Sequence, residues 1–302
     1  MSANIYLDSE GISYQKLAFV PWNSRPLDEW RQIYAKGEFL SLGGRSTHYL
    51  EKGKGDPIIL IHGFNMDLNT WMFNIDALAE HHRVLALDLW GLGYSSREFM
   101  DYGYALYVDQ LLAFMQALDL QKASLIGHSM GGGTAIKFCL NYRHMIDKLI
   151  LVDSTGIPNP LPFRSKLFTL PGVGERLLRI NNNYLRRKNL EDIWFYDKGN
   201  LTEETFVEIT QFQKIRGTSE ILLEILRKQF FHTLEADIHQ LGDLDIPTLI
   251  VWGRHDASIP LEIGREIGRI VKGSRFEIIN KGGHMPNFDC ADEFNRLVLE
   301  FL

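Results

Sequence analysis

Short apolar runs recur along the chain, separated by stretches with helical spacing. Residues 58–61 (IILI), 84–87 (VLAL), 123–126 (ASLI), 148–152 (KLILV), 248–252 (TLIVW) and 275–279 (RFEII) are rich in Val, Ile and Leu. Runs this short and this continuously apolar are the mark of strands covered on both faces, as in a parallel sheet. Between them, Tyr104, Tyr107, Val108, Leu111, Leu112, Met115 and Leu118 follow the i, i+3, i+4, i+7 rhythm of a helix, with Asp109, Gln110 and Gln116 expected on the wet side. Phe294, Leu297, Val298, Phe301 and Leu302 form a second such stripe at the end of the chain. Strands alternating with helices predict an α/β fold with a mostly parallel, doubly wound sheet. Ahead of these, 38–42 and 46–50 flank Gly43-Gly44 as an opening hairpin, and an N-terminal arm, residues 1–37, precedes it with Trp22 and Trp30 placed to pack on the body.

The alternation stops between about Gly156 and Leu241. Pro158, Pro160, Pro162 and Pro171 open this stretch, and helical segments near 202–216 and 219–231 follow with no strand pattern. The expectation is a core made of 38–156 and 242–302, with a helical lid at 157–241. Between 161 and 190 seven basic residues (Arg164, Lys166, Arg176, Arg179, Arg186, Arg187, Lys188) face one acid, Glu175. Such a charge run reads first as a solvated outer face, and second as an attraction for anionic substrates or surfaces.

Composition narrows the function classes. A chain of 302 residues that is 45% hydrophobic has ample material for a core, and a formal net charge of -6 lacks the basic footprint of a nucleic-acid binder. Small or neutral partners are expected. Cys139 and Cys290 are too few for a disulfide framework and have no metal-type spacing. The first residues lack the charged start and apolar run of a secretory signal, and no stretch reaches the roughly 18 apolar residues of a membrane span, so a cytoplasmic location is expected.

The chemistry sits in three separated motifs. Gly127-His128-Ser129-Met130-Gly131 follows the strand 123–126 and precedes the helical run Thr134 to Tyr142, the strand, sharp turn and helix that a G-x-S-x-G nucleophile elbow requires. A serine hydroxyl is a poor nucleophile unless a base takes its proton, usually a histidine oriented by a carboxylate. Asp256, just past the strand 248–252, and His284, in Gly282-Gly283-His284 past the strand 275–279, fall at the carboxyl ends of strands, where open α/β sheets present their ligand-binding groups. Asp153, after 148–152, is the competing carboxylate. The backbone N–H of Met130 and that of Phe64, in His62-Gly63-Phe64 after the strand 58–61, are the expected oxyanion donors. No HExxH or comparable clustering suggests a metal, and no cofactor is called for.

With these motifs in that order, together with Asp88-Leu-Trp-Gly91-Leu-Gly93-Tyr-Ser95, PTLIVWGRHDASIP and GGHMPNFD, the chain resembles the α/β-hydrolase family over about 38–156 and 242–302. The resemblance implies a serine hydrolase with the triad Ser129, Asp256 and His284. Members with aspartate at the elbow, the haloalkane dehalogenases and epoxide hydrolases, are disfavoured by Ser129. PTLIVWGRHD and ADEFNRLVLEFL look like carbon–carbon bond hydrolases of ring meta-cleavage products, which carry an aromatic residue after the histidine, where this chain has Met285, and a lid arginine, near whose place Ile209 stands with Arg216 close by. On those departures, hydrolysis of a small carboxylic ester through an acyl-enzyme is the first expectation, carbon–carbon cleavage the second and a non-catalytic ligand-binding receptor the third. Trp194, Phe195, Phe206 and Phe212 are the candidates to line an apolar substrate pocket.

Overall fold

The computed structural model describes residues 5–7, 13–15, 20–159, 163–180 and 182–302. Pro160, Pro162 and most of the first nineteen residues lie outside them, as does the side chain of Arg164. Two short strands, β1 (Ile5–Leu7) and β2 (Ser13–Gln15), pair antiparallel and are followed by helix α1 (Leu27–Tyr34). The hairpin is β3 (Glu38–Leu42) and β4 (Arg45–Lys52); Gly43 and Gly44 at its tip have φ of 57° and 84°, the pair of positive angles that a two-residue type I′ turn demands. Then come β5 (Pro57–Ile61), α2 (Ile75–Ala79), β6 (Arg83–Leu87), α3 (Tyr104–Ala117), β7 (Ala123–His128), α4 (Met130–Asn141) and β8 (Ile146–Val152). Among the described residues six α-helices intervene before the next strand: α5 (Phe163–Thr169), α6 (Val173–Leu178), α7 (Asn183–Ile193), α8 (Glu203–Thr210), α9 (Thr218–Lys228) and α10 (Glu235–Gly242). The chain finishes with β9 (Thr248–Gly253), α11 (Leu261–Ile270), β10 (Arg275–Ile279), α12 (Pro286–Asp289) and α13 (Ala291–Phe301).

All six apolar runs join one eight-stranded sheet in the order β10-β9-β8-β7-β5-β6-β4-β3, parallel from β10 to β6, with β4 and β3 antiparallel at one edge. This is the mostly parallel, doubly wound sheet that the alternation of strands and helices predicts. Each central strand splits its residues between two layers with period two. Ile59 and Ile61 of β5, Leu85 and Leu87 of β6, and Ile250 and Trp252 of β9 face the core shared with α3, α4, α10 and α11. Ile58, Leu60, Val84, Ala86, Leu249 and Val251 face the opposite layer, made by Ile75 and Leu78 of α2 and by Phe294, Leu297 and Val298 of α13. Covering on both faces is why these runs read as unbroken apolar stretches.

Within α3 one expectation fails. Asp109 and Gln116 are exposed, but Gln110 is buried. Its amide accepts from the Trp90 N–H (2.8 Å) and donates to the Asp88 carbonyl (3.0 Å) and Thr47 Oγ1 (3.2 Å), so it satisfies the backbone of the turn after β6. The expected helix near 202–216 is also broken: α8 stops at Thr210, a tight turn follows over Gln211–Lys214, and the chain pairs there with the N-terminal arm. The arm is tied down by Asn23 N–H to the Gln213 carbonyl (3.0 Å), Arg216 N–H to the Arg25 carbonyl (2.8 Å) and Trp30 Nε1 to the Gln211 carbonyl (2.9 Å), with Trp22 and Trp30 both buried. No helix among the described residues is long and apolar enough to cross a membrane.

Candidate active site

After β5 the chain moves to one side of the sheet, to β6, and then crosses back to add β7 on the other. The carboxyl ends of β5 and β7 therefore bound a topological switch point, where a crevice opens because the flanking connections diverge. Ser129 caps β7 at that crevice with φ 53° and ψ −118°, a strained conformation for a residue with a Cβ, costing roughly 1–3 kcal/mol. The surroundings impose it: Ser129 N–H donates to the Val152 carbonyl (2.9 Å), and the start of α4 lies so close to β5 that a Cβ on Gly131 would collide with the carbonyls of Ile61 and His62. Gly63 is close as well, though less tight, since a Cβ there would stand 3.0 Å from the Ser129 side chain. This closeness brings the His62-Gly63-Phe64 turn beside the hydroxyl. His62 Nε2 accepts from the Leu89 N–H (3.0 Å), so the ring proton is on Nδ1, which donates to the Gly63 carbonyl (2.9 Å) and holds the turn. The N–H groups of Phe64 and Met130 donate to no acceptor among the described residues, leaving both available to a ligand oxygen.

The structure brings the three separated motifs together. His284 Nε2 is 3.1 Å from Ser129 Oγ, and its Nδ1 is 2.8 Å from Asp256 Oδ2. The other Asp256 oxygen accepts from the N–H groups of Ser258 (2.7 Å) and Ile259 (2.9 Å). All three residues are buried, with Ser129 at 7% exposure. Burial alone would raise the Asp256 carboxyl, but His284 beside it, with the hydrogen bonds from His284 and Ile259, holds it below the usual carboxylate range. Asp153, the competing carboxylate, accepts from the Gly253 N–H (3.0 Å) rather than from His284. Burial first, and then the charge of Asp256, pushes it well above the usual range.

Two further residues steady this geometry. His128, the residue before the serine, donates from Nε2 to the backbone carbonyl of His284 (2.6 Å), and its ring lies tilted 4.8 Å from the His284 ring. Burial, then the neighbouring His284, pushes His128 down to about 3, so it is a neutral donor. Asp289 accepts from the N–H groups of Gly283 (2.8 Å) and Tyr196 (2.9 Å), tying the histidine loop to the end of α7. Neither stands out in the sequence, although position 128 lies inside the elbow motif.

Ser129, His284, Phe64 and Met130 line a cavity of about 470 Å³ roofed by α7 and α9. Of the four expected aromatic residues, Trp194 lines it. Phe195, Phe206 and Phe212 do not, which corrects the expectation. Phe195 and Phe206 join Trp22, Met66, Leu201, Met285 and Phe288 in a separate apolar cluster, where Phe195 meets Phe288 edge to face at 5.2 Å; Phe212 is fully buried in the main core. Phe168 and Phe231 take their place on the cavity wall. The wall also carries a cation from the basic run, Arg186, whose Nη1 donates to Gln213 Oε1 (2.8 Å) and whose guanidinium lies 4.3 Å over Trp22. Gln213 in turn donates to Asn65 Oδ1 (3.0 Å), beside the Phe64 turn. Arg186 has no carboxylate partner among the described residues, and burial pushes it down to about 10. Arg216 is exposed and Ile209 is buried in the aromatic cluster, so neither brings a charge to the cavity.

A family model described as alpha/beta hydrolase fold matches residues 56–290. The chain is 31% identical over 270 residues to the dihydrolipoyllysine-residue acetyltransferase component of the acetoin cleaving system of Pseudomonas putida, covering 86% of this chain and 68% of that one. It is 30% identical over 277 residues to 2-hydroxy-6-oxononadienedioate/2-hydroxy-6-oxononatrienedioate hydrolase 1 of Pseudomonas putida, covering 85% of this chain and 92% of the other. A solved meta-cleavage product hydrolase from Pseudomonas fluorescens IP01 is 28% identical and superposes with a TM-score of 0.76, covering 88% of this chain and 97% of that one.

Proposed function

The chain belongs to the α/β-hydrolase family, and from that premise we propose that it is a serine-dependent hydrolase cleaving a carbon–carbon bond beside a carbonyl, in substrates like ring meta-cleavage products. The observation that carries this reading is the hydrogen-bonded series Ser129, His284 and Asp256 opening onto an apolar cavity whose wall holds a cation, Arg186, with no carboxylate partner among the described residues. Similarity to hydrolases named for such products, over most of both chains, favours it above the ester hydrolysis expected first from the sequence.

In this reading His284 Nε2 takes the Ser129 proton as Oγ adds to the substrate carbonyl, and Asp256 holds the ring so that Nε2 faces the hydroxyl. The tetrahedral oxyanion lies between the N–H groups of Phe64 and Met130. Collapse breaks the carbon–carbon bond, the departing carbon accepts the proton from His284, and the acyl group stays on Ser129 as an ester. Water, deprotonated by His284, then releases the acid. Residues 157–241 act as the roof, with Trp194 on the substrate side and Arg186 facing a substrate carboxylate.

Ester hydrolysis by the same residues is the second reading, favoured by Met285 and Ile209 at positions where the family's carbon–carbon hydrolases differ. Incubation with a coloured 2-hydroxy-6-oxo-hexa-2,4-dienoate beside p-nitrophenyl butyrate separates the two. Bleaching of the dienoate with the higher kcat/KM, abolished in Ser129→Ala, is the expected result. Turnover of the ester alone would reverse the order, and turnover of neither, with no labelling of Ser129, would point to a binding protein.

A further inference from the structure

At the carboxyl end of three neighbouring strands the parallel ladder continues for one more residue. Ser129 N–H donates to the Val152 carbonyl (2.9 Å), Asp153 N–H to the Val251 carbonyl (3.1 Å) and Arg254 N–H to the Ile279 carbonyl (3.0 Å). Asp153 thus stands on β8 where Ser129 stands on β7, and it shares the left-handed backbone, with φ of 41° against 53°. Strain at a buried non-glycine residue persists only where the surroundings impose it, and it clusters at functional sites. The Asp153 side chain is fully buried, with one oxygen on the Gly253 N–H (3.0 Å) and the other facing no donor among the described residues. The ligand atoms of Asp153, Asp256 and His284 lie within 4.8 Å of one another.

Two carboxylates this close in a dry site cannot both ionise. Asp256 has the donors that stabilise an anion: His284 Nδ1 and the N–H groups of Ser258 and Ile259. Asp153 has one. A buried carboxyl oxygen without a donor is costly as an anion, whereas as a hydroxyl it becomes a donor itself, and the acceptor beside it is Asp256.

We propose that Asp153 is a positioning residue that keeps its carboxylic acid proton and donates it in a hydrogen bond to Asp256, fixing that carboxylate and tempering the negative charge it presents to His284. The charged and titratable groups facing it agree. Asp256 and Asp289, in the loop after β9 and on α12, both add negative potential that keeps the proton on Asp153, and His284, with a ligand atom within 4.8 Å, gives its Nδ1 hydrogen bond to Asp256. The role rests on Ser129, His284 and Asp256 acting together, whatever bond is cleaved.

The test compares the native protein with Asp153→Asn, which keeps an acceptor for Gly253 and a donor for Asp256, and Asp153→Ala, which keeps neither. The rate at which a fluorophosphonate labels Ser129 is followed from pH 5 to 9, a reaction that needs no knowledge of the substrate. Without the donor, Asp256 carries more charge and holds the proton on His284 more strongly. The acid limb of the Asp153→Ala profile should therefore rise by about one pH unit, lowering labelling at pH 6 by about tenfold, while Asp153→Asn keeps the native limb. A limb that falls in Asp153→Asn would mean that an anion had been removed, and an unmoved limb in Asp153→Ala would mean that the donor is idle; either overturns the proposal. Infrared difference spectra at pH 7, native minus Asp153→Asn, decide the protonation state even if the alanine variant does not fold or the native serine does not label. A protonated-carboxyl band lost in the variant supports the assignment, and its absence from the native protein overturns it.

Discussion

His128 makes the fold sensitive to acid in a way that can be isolated. Its ring is fully buried, with Nε2 on the His284 carbonyl and Nδ1 without a hydrogen-bond partner among the described residues. Burial and the adjacent His284 push it from the ordinary 6.5 down to about 3. In the unfolded chain the imidazole gains its proton near 6.5; in the folded chain it does so only near 3. Above pH 6.5 both states are neutral there and the residue contributes no pH dependence. As pH falls from 6.5 toward 3 the unfolded state binds one more proton than the folded state, so stability declines by ~1.4 kcal/mol per pH unit. The whole window is worth ~5 kcal/mol, and the span from pH 6 to pH 4 ~2.7 kcal/mol. His128→Gln keeps an N–H for the His284 carbonyl and removes the titration. Urea unfolding at pH 7, 6, 5 and 4 should give native midpoints that fall more steeply than those of the variant, the gap growing by about one proton per molecule. Carboxylates such as Asp256 titrate alike in both proteins and cancel from the difference. Parallel curves from pH 6 to pH 4 would refute the argument, because His128 would then bind its proton equally in both states.

Two other perturbations follow from the geometry. Arg186→Leu removes the cation from the cavity wall; loss of a charge-assisted hydrogen bond of about 1.5–3 kcal/mol should raise KM for a dienoate carboxylate at least tenfold, with a much smaller change for the neutral p-nitrophenyl butyrate. Equal changes for both substrates would show that Arg186 acts through packing alone. Gly131→Ala sets a methyl against the carbonyls of Ile61 and His62, backbone atoms that cannot swing away, and should cost at least ~2 kcal/mol in urea unfolding together with most of the Ser129 labelling. A variant with native stability and native labelling would mean that the start of α4 is looser than described.

Much of the fold is legible because the sheet is covered on both sides. Burial of alternate residues by two layers makes each central strand an unbroken apolar run, visible without any partner sequence. Strand ends are less visible: β7 continues through Gly127 and His128, which pair with Leu151 and Val152, although neither is apolar. Gln110 misleads because amphipathic spacing sees polarity and not the hydrogen bonds that let an amide be buried. In the helical segment over the sheet, spacing cannot tell which aromatic face meets the cavity. Phe206 turns instead to Trp22 of the N-terminal arm, a contact set by residues 184 positions apart in the chain. Arg186 is hidden for a similar reason, as one charge among seven whose partners, Gln213 and Trp22, come from distant segments. Ser129, Asp256 and His284 are more visible because each lies at the end of a recognisable strand, and strand ends of a parallel sheet share one rim.

The most direct measurement is the intact mass of the purified protein after treatment with a fluorophosphonate, with the modified peptide located by fragmentation. A single adduct on Ser129 in the native protein, formed at least a thousandfold more slowly in His284→Ala, is the predicted result. An unmodified Ser129 in the folded native protein, or equal rates with and without the His284 ring, would contradict the assignment of nucleophile and base.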